Sequence, residues 1–187
     1  ERRSVSTYGQ AELAFKELLF LTLTARNDWT STLPKDNRSF FYPGASLSFN
    51  FSELMPSMAD IIDFGKIRIA YGITGKDADP YLVDPVFIPG EVYNEFGNMM
   101  FPFNGVNAYE LSNRLGSLDL SPEMSRESEI GLQMYFLKGR IGFDFTYYDK
   151  LSDKQIFNLD MDPATGYTSQ TTNIGEISNK GIEALVT

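Results

Sequence analysis

The chain contains no histidine and no cysteine in 187 residues. Without histidine the usual general base, the Ser-His and Cys-His nucleophile pairs and imidazole metal sites are all missing. Without cysteine there is neither a disulfide framework nor a thiolate site. Lysine and arginine number 16 against 25 acidic residues, a formal charge of −9, so no basic patch is available to neutralise phosphates and nucleic acid is not an expected partner. No apolar run approaches the length of a spanning helix, no signal peptide is visible and no short-period repeat occurs. No cofactor is expected. The chain opens on Glu1-Arg2-Arg3 and stops within the strand-like run Ala184-Leu185-Val186-Thr187, as a portion of a longer polypeptide would.

What the chain does have is phenylalanine and tyrosine in long alternating runs, the composition of strands. Ser125 to Lys150 shows this best. Ile130, Leu132, Met134 and Phe136 alternate with Glu129, Gly131, Gln133 and Tyr135. Beyond Leu137-Lys138-Gly139, Ile141, Phe143, Phe145 and Tyr147 alternate with Gly142, Asp144, Thr146 and Tyr148. A period of two places each apolar set on one face, so the stretch predicts an antiparallel hairpin with one apolar and one polar side.

Val5 to Phe15 and Leu18 to Trp29 form a similar pair around Lys16-Glu17. Each runs about ten residues, longer than the roughly 5–6 of ordinary strands and matched to the roughly 9–11 that a tilted strand needs to cross a bilayer. Leu47, Phe49 and Phe51 alternate with Ser46, Ser48, Asn50 and Ser52, and Ile67, Ile69, Tyr71 and Ile73 with Lys66, Arg68, Ala70, Gly72 and Thr74. A final strand begins at Asn173 and predicts a bulge near Asn179-Lys180-Gly181. Glu53 to Gly65, with Pro56 and Ala59-Asp60-Ile61-Ile62, has room for a helical turn. From Gly75 to Pro122, prolines, glycines and asparagines break every candidate element.

The connections carry as much information as the strands. Lys16-Glu17 and Leu137-Lys138-Gly139 are minimal, whereas the links around residues 30–39, 76–122 and 151–172 are long, and the two kinds fall at opposite ends of the strands. Short turns at one end and long loops at the other are the pattern of an outer-membrane barrel. Only Glu53 to Gly65 is longer than the pattern prefers. Trp29 and Phe40-Phe41-Tyr42 flank the first long link, either as an interfacial girdle or as the cap of a soluble core.

Several stretches taken in order, Asn27-Asp28-Trp29-Thr30-Ser31-Thr32-Leu33-Pro34, Asn37-Arg38-Ser39-Phe40-Phe41-Tyr42-Pro43, Phe64-Gly65-Lys66-Ile67-Arg68, Tyr71-Gly72-Ile73-Thr74-Gly75, Leu120-Ser121-Pro122-Glu123, Glu129-Ile130-Gly131-Leu132, Phe143-Asp144-Phe145-Thr146-Tyr147-Tyr148 and Asn179-Lys180-Gly181-Ile182-Glu183, resemble the barrel of SusC/RagA-type TonB-dependent transporters of Bacteroidetes. The resemblance implies an all-β, antiparallel transmembrane β-barrel segment, part of a 22-stranded outer-membrane barrel. It also implies uptake of glycans or peptides with a SusD-like surface lipoprotein, contact with membrane lipid and energy from TonB. Residues 1–187 would then be a partial barrel domain with a long extracellular-type loop at about 76–122; the plug and the TonB-contacting segment have no counterpart in these residues.

On this reading the odd-numbered apolar rows from Leu19 to Phe51 face lipid, and Arg26, Asp28, Arg68 and Glu129 face the lumen. Glu127 and Glu129 lie two apart, a spacing that invites comparison with glycosidase carboxylates, yet nothing in the sequence separates their acidities. They read instead as lumen charge balanced by Arg26, Arg68 or Arg126. Asp77-Ala78-Asp79 and Asp160-Met161-Asp162 lack the glycine and distal glutamate of a calcium loop. Gly90, Gly97, Gly105 and Gly116 make no phosphate-cradling motif. Tyr81, Tyr93, Phe101 and Tyr109 in the long loop are candidates for contacts to a ligand or a partner, or for a small core of the loop itself. The alternative fold is a soluble β-sandwich, such as a carbohydrate-binding module, in which Leu19, Leu21, Leu23, Phe143 and Phe145 would point inward.

Overall fold

The computed structural model describes residues 1–55 and 61–187. Four long strands come first: β1 (Ser4–Phe15), β2 (Leu19–Thr30), β3 (Ser39–Phe49) and β4 (Ile62–Lys76). Short strands follow: β5 (Phe87–Pro89), β6 (Glu91–Asn94), β7 (Gly97–Met100), β8 (Tyr109–Leu111) and β9 (Arg114–Leu115). Then come β10 (Glu123–Phe136), β11 (Ile141–Asp153), β12 (Ile156–Asp160), β13 (Ser169–Asn173) and β14 (Glu176–Val186). The long strands form one seven-stranded sheet in the order β1-β2-β3-β4-β10-β11-β14, every pair antiparallel. Among the described residues no helix is long and apolar enough to cross a membrane, which bears only on helices.

The register lines up the alternation of every strand. Leu13 faces Leu21, Leu21 faces Leu47, Leu47 faces Ile69, Ile69 faces Ile130, Ile130 faces Tyr147, and Tyr147 faces Ile182. One residue further along, Glu12, Thr22, Ser46, Ala70, Glu129, Tyr148 and Gly181 make the matching polar row. Cross-strand partners share a face, so the sheet is apolar on one side from edge to edge. The sandwich alternative fails here, since the remaining sheets have three, two and two strands and lie in the connections. Leu23, Ile69 and Ile182 stay 43%, 51% and 65% exposed. Covering each such side chain is worth roughly 1.5–3 kcal/mol, so this face calls for an apolar cover that these residues do not themselves supply.

The tight turns hold the register. Lys16 and Glu17 take φ of 49° and 56°, and Leu137 and Lys138 take 54° and 61°. Left-handed residues at the turn match the twist of the flanking strands. Beside the second turn the β4–β10 ladder shifts register between Tyr135 and Phe136, and the Asp63 carboxylate accepts a hydrogen bond from the Gly139 amide at 2.9 Å.

Four local expectations are corrected. The β11–β14 register runs unbroken from Asp153↔Glu176 to Phe143↔Val186, so there is no bulge at Asn179-Lys180-Gly181. Lys180 shares the apolar-side row with Asp149 and bonds it at 2.7 Å, and that charge in an apolar row mimicked a slipped register. Phe51 has left the strand for a 3-10 turn, Phe51–Leu54, and its ring fills the space beside Gly65 where a Cβ would lie 2.3 Å away. Strand β3 starts at Ser39, earlier than its alternation suggested, and its ladder with β4 stops at Gly44, one residue after Pro43, which has no N–H to offer. The stretch from Gly75 to Pro122 holds β5 to β9, in pieces too short for periodicity to register. The helical turn expected between Glu53 and Gly65 falls partly on residues 56–60, outside the described residues; the turn that is described lies just before them.

The buried apolar cluster of the described residues lies beyond the end of the sheet that carries the long loops. Leu33, Phe40, Ala78 and Leu120 are buried, with Tyr42, Leu82, Val83 and Ile156 packed against them. Residues from all three long connections take part. Gly116 belongs to this base because a Cβ there would sit 2.1 Å from the Val83 carbonyl oxygen, a backbone atom that cannot swing aside. Replacing Gly116 with alanine in the full-length protein is expected to cost about 1–3 kcal/mol of local stability. Limited proteolysis should then cut within residues 77–122 faster than in wild type, while the barrel strands stay protected.

Candidate functional site on the polar face

Arg26 and Asp28 stand two apart on β2 and pair directly, Nε to Oδ1 at 2.8 Å. Arg26 also donates to Ser6 Oγ at 3.2 Å on β1 and lies over the Tyr42 ring of β3, 5.9 Å from its centroid. The Tyr42 hydroxyl donates to the other Asp28 oxygen. Three neighbouring strands are thus tied across the polar face near its loop end.

Arg68 reaches further. Its register partner on β10 is Gly131, whose own partner on β11 is Thr146. A Cβ on Gly131 would lie 2.5 Å from Arg68 Nε, so only glycine leaves a path for the arm to cross β10. Beyond it the guanidinium donates to Asp144 at 3.1 and 2.7 Å and to Thr146 Oγ1 at 2.7 Å. Neither partner was expected from the sequence. The signal was present in the Gly131 that faces Arg68, legible only once the register is known.

Glu129 makes no ion pair of its own but lies within electrostatic reach of Arg68, two residues away along the β4–β10 ladder on the same face, so Arg68 is one of its balancing charges. With Glu127, Glu129 lines a cavity of about 310 Å³ floored by Thr22, Thr24, Gly44, Ser46, Ala70 and Gly72. Glu127 is balanced by Lys150 directly across on β11, at 3.5 Å. Arg126 is corrected as a balancing charge, because a period of two places it on the opposite face, where it bonds Asp153 at 2.5 Å. The four candidates therefore share the polar face: Arg26 pairs with Asp28, while Arg68, bonded to Asp144, also acts electrostatically on Glu129, which sits beside Glu127.

The loop candidates separate too. Tyr93, Phe101 and Tyr109 belong to residues 87–111, where β5 pairs with β8 and β6 with β7. Tyr81 lies at the loop base with its carbonyl bonded by Arg114 at 3.0 Å. The Glu91 carboxylate, hydrogen-bonded to Tyr93, holds the Tyr93 phenol above its ordinary range, and Glu110 adds to the effect. Asp77 is engaged in structure, accepting from Thr30 and Thr32 at 2.7 and 3.1 Å and pairing with Arg2 at 2.5 Å. Asp162 caps a short turn through the Ala164 amide at 2.9 Å. Among the described residues no group of three or more acidic side chains is placed to hold a metal ion.

Residues 1–187 match the family described as TonB dependent receptor-like, beta-barrel. The chain belongs to that family. Its members are outer-membrane receptors, and the outer membrane is where this chain resides. It is 29% identical over 185 residues to TonB-dependent receptor P3 of Formosa agariphila, covering 98% of this chain and 18% of that protein. TonB-dependent receptor P26 of the same organism is also 29% identical, with 95% and 17% covered. The chain thus spans less than a fifth of the length of these curated relatives. Among solved structures it superposes on the RagAB peptide importer in its closed-closed state with a TM-score of 0.82 at 18% identity, covering 98% of this chain and 19% of that one. The ferric enterobactin receptor PfeA of Pseudomonas aeruginosa gives 0.65 at 15% identity, covering 98% and 24%. These likenesses are of fold, and the fold is the TonB-dependent receptor β-barrel, of which the chain forms a segment.

The arm over Gly131 is open to a direct check. In the full-length protein Gly131→Ala and Arg68→Ala are each expected to lower barrel stability by roughly 1 kcal/mol, and the double variant to lose little more than either alone. Unfolding of the detergent-solubilised protein in guanidinium measures all three.

Proposed function

We propose that these strands form part of the wall of a TonB-dependent transporter that imports glycans or peptides together with a SusD-like surface lipoprotein. The observation that supports it most is the seven-strand register, which gives one continuous apolar side for lipid and one polar side for a water-filled lumen. Arg26, Asp28, Arg68 and Glu129 are then lumen groups that act by position and charge; no covalent step is assigned to them. TonB would act through parts of the polypeptide outside these residues. Peptide is the favoured cargo, because the fold likeness is strong to a protein described as a peptide importer.

Facing is tested with single cysteines in full-length protein freed of any other cysteine. Leu21→Cys should resist a membrane-impermeant maleimide in intact vesicles, whereas Thr22→Cys should react once the lumen is open to solvent. Equal labelling of both positions contradicts the assignment. Cargo is tested by deleting the gene and comparing growth on peptide digests with growth on glycans as the limiting nutrient. Loss on peptides alone supports the favoured cargo, loss on glycans alone replaces it, and unchanged growth on both counts against transport of either.

A further inference from the structure

Two cavities on the polar face differ in charge. The one beside Glu127 and Glu129 has no lysine or arginine in its lining. The other, of about 430 Å³, opens where β1 to β4 reach the loop end, and Arg2, Arg26 and Lys76 line it with Asp28 and Asp77. Three cations against two acids leave one positive charge over, in a chain whose net charge is −9. The acids are fully engaged. Asp28 accepts from Arg26 and Tyr42, and Asp77 from Arg2, Thr30 and Thr32.

The cations are held without being used up. Arg26 gives Nε to Asp28 and Nη2 to Ser6 and lies over the Tyr42 ring, so its position is fixed from three strands. Yet 49% of its side chain is exposed, and its remaining N–H groups are left for a ligand. Lys76 stands 3.5 Å from Glu123 with 79% of its side chain exposed, a pairing too weak to hold it. A positioned guanidinium beside an ammonium is a receptor for a carboxylate. The volume is at the small end for ligand pockets, which suits one end or one side chain of a short peptide. We infer that this cavity binds a carboxylate of the cargo peptide, with Arg26 as the fixed contact and Lys76 as the contact at the rim. The inference rests on the transporter reading above and names the chemical group of the cargo that this wall recognises. The cavity beside Glu127 and Glu129 presents only acids to the same group, so a carboxylate is sorted toward the loop end of the face.

The test titrates the full-length receptor, purified in detergent, with three probes by calorimetry: pentaalanine with a free C-terminus, the same peptide amidated, and an amidated pentapeptide with glutamate at its centre and alanine elsewhere. Wild type should bind at least one of the two carboxylate peptides roughly tenfold more tightly than amidated pentaalanine, and salt should reduce that preference. Tight binding of the free terminus alone assigns the site to the C-terminal carboxylate, and tight binding of the glutamate peptide assigns it to a side chain. Arg26→Gln should abolish the preference and Arg26→Lys should restore part of it. Lys76→Gln, at an exposed position that the fold does not need, should weaken it, and decides alone where Arg26→Gln fails to assemble. If wild type binds all three probes alike, or Arg26→Gln keeps the full preference, the cavity recognises no carboxylate and the inference is overturned while the transporter reading stands. If none of the probes binds, the inference also fails, and the transporter reading is judged separately by growth on peptide digests.

Discussion

Hydrocarbon offers no hydrogen bonds, so every backbone N–H and C=O of a spanning strand has to be taken by a neighbouring strand. In this chain β10 meets that condition on both edges, through β4 on one side and β11 on the other. The outer strands β1 and β14 meet it on one edge only within these residues, and the closed barrel of the family completes the other. The same ladders decide what each face presents. Because cross-strand partners share a face, a slip of one residue in any strand would exchange its leucine row for its threonine row. The short turns at Lys16-Glu17 and Leu137-Lys138 guard against that slip, at the cost of left-handed backbone in residues that have a Cβ.

The polar face uses glycine as a means of reach. Gly131 lets the Arg68 arm pass over β10 to Asp144, and Gly181 lets the Tyr148 ring lie against β14, where a Cβ would come within 2.5 Å of the hydroxyl. In each case a long side chain spends its length along the face, linking neighbouring strands where it might otherwise have pointed outward. The Arg26, Asp28 and Tyr42 cluster ties three strands in the same way with shorter arms. A wall laced like this keeps its charges at fixed positions, which suits a surface that acts by electrostatics more than by motion.

Strand identity, the facing of most rows and the division into short turns and long loops were all legible in the sequence, because a period of two over ten or more residues is hard to produce by chance. What escaped it depended on other strands or on short pieces. Asp144 became a partner of Arg68 only through a register spanning β4, β10 and β11. Arg126 was placed with the polar side by its charge, although its even number set it opposite Glu127, and the Asp153 that satisfies it lies on the next strand. Lys180 misled in the same way, a charged residue in an apolar row whose partner, Asp149, lies on the neighbouring strand. The strands β5 to β9 run two to four residues, below the length at which alternation is distinguishable from composition.

The loop end of the sheet is a platform as much as an opening. Asp77 joins the end of β2 to the end of β4 through Thr30 and Thr32. Asn173 joins the third long connection to the second, exchanging hydrogen bonds with both the amide and the carbonyl of Ser121 at 2.8 Å. Asn37 brings in the first by donating to the Leu120 carbonyl at 3.0 Å. With Leu33, Phe40, Ala78 and Leu120 buried between them, the three connections are fixed to one another. A surface displayed on a fixed base loses less conformational freedom on binding than one displayed on a free loop. That is how a two-stranded ribbon, too small to be stable alone, can still hold a defined shape.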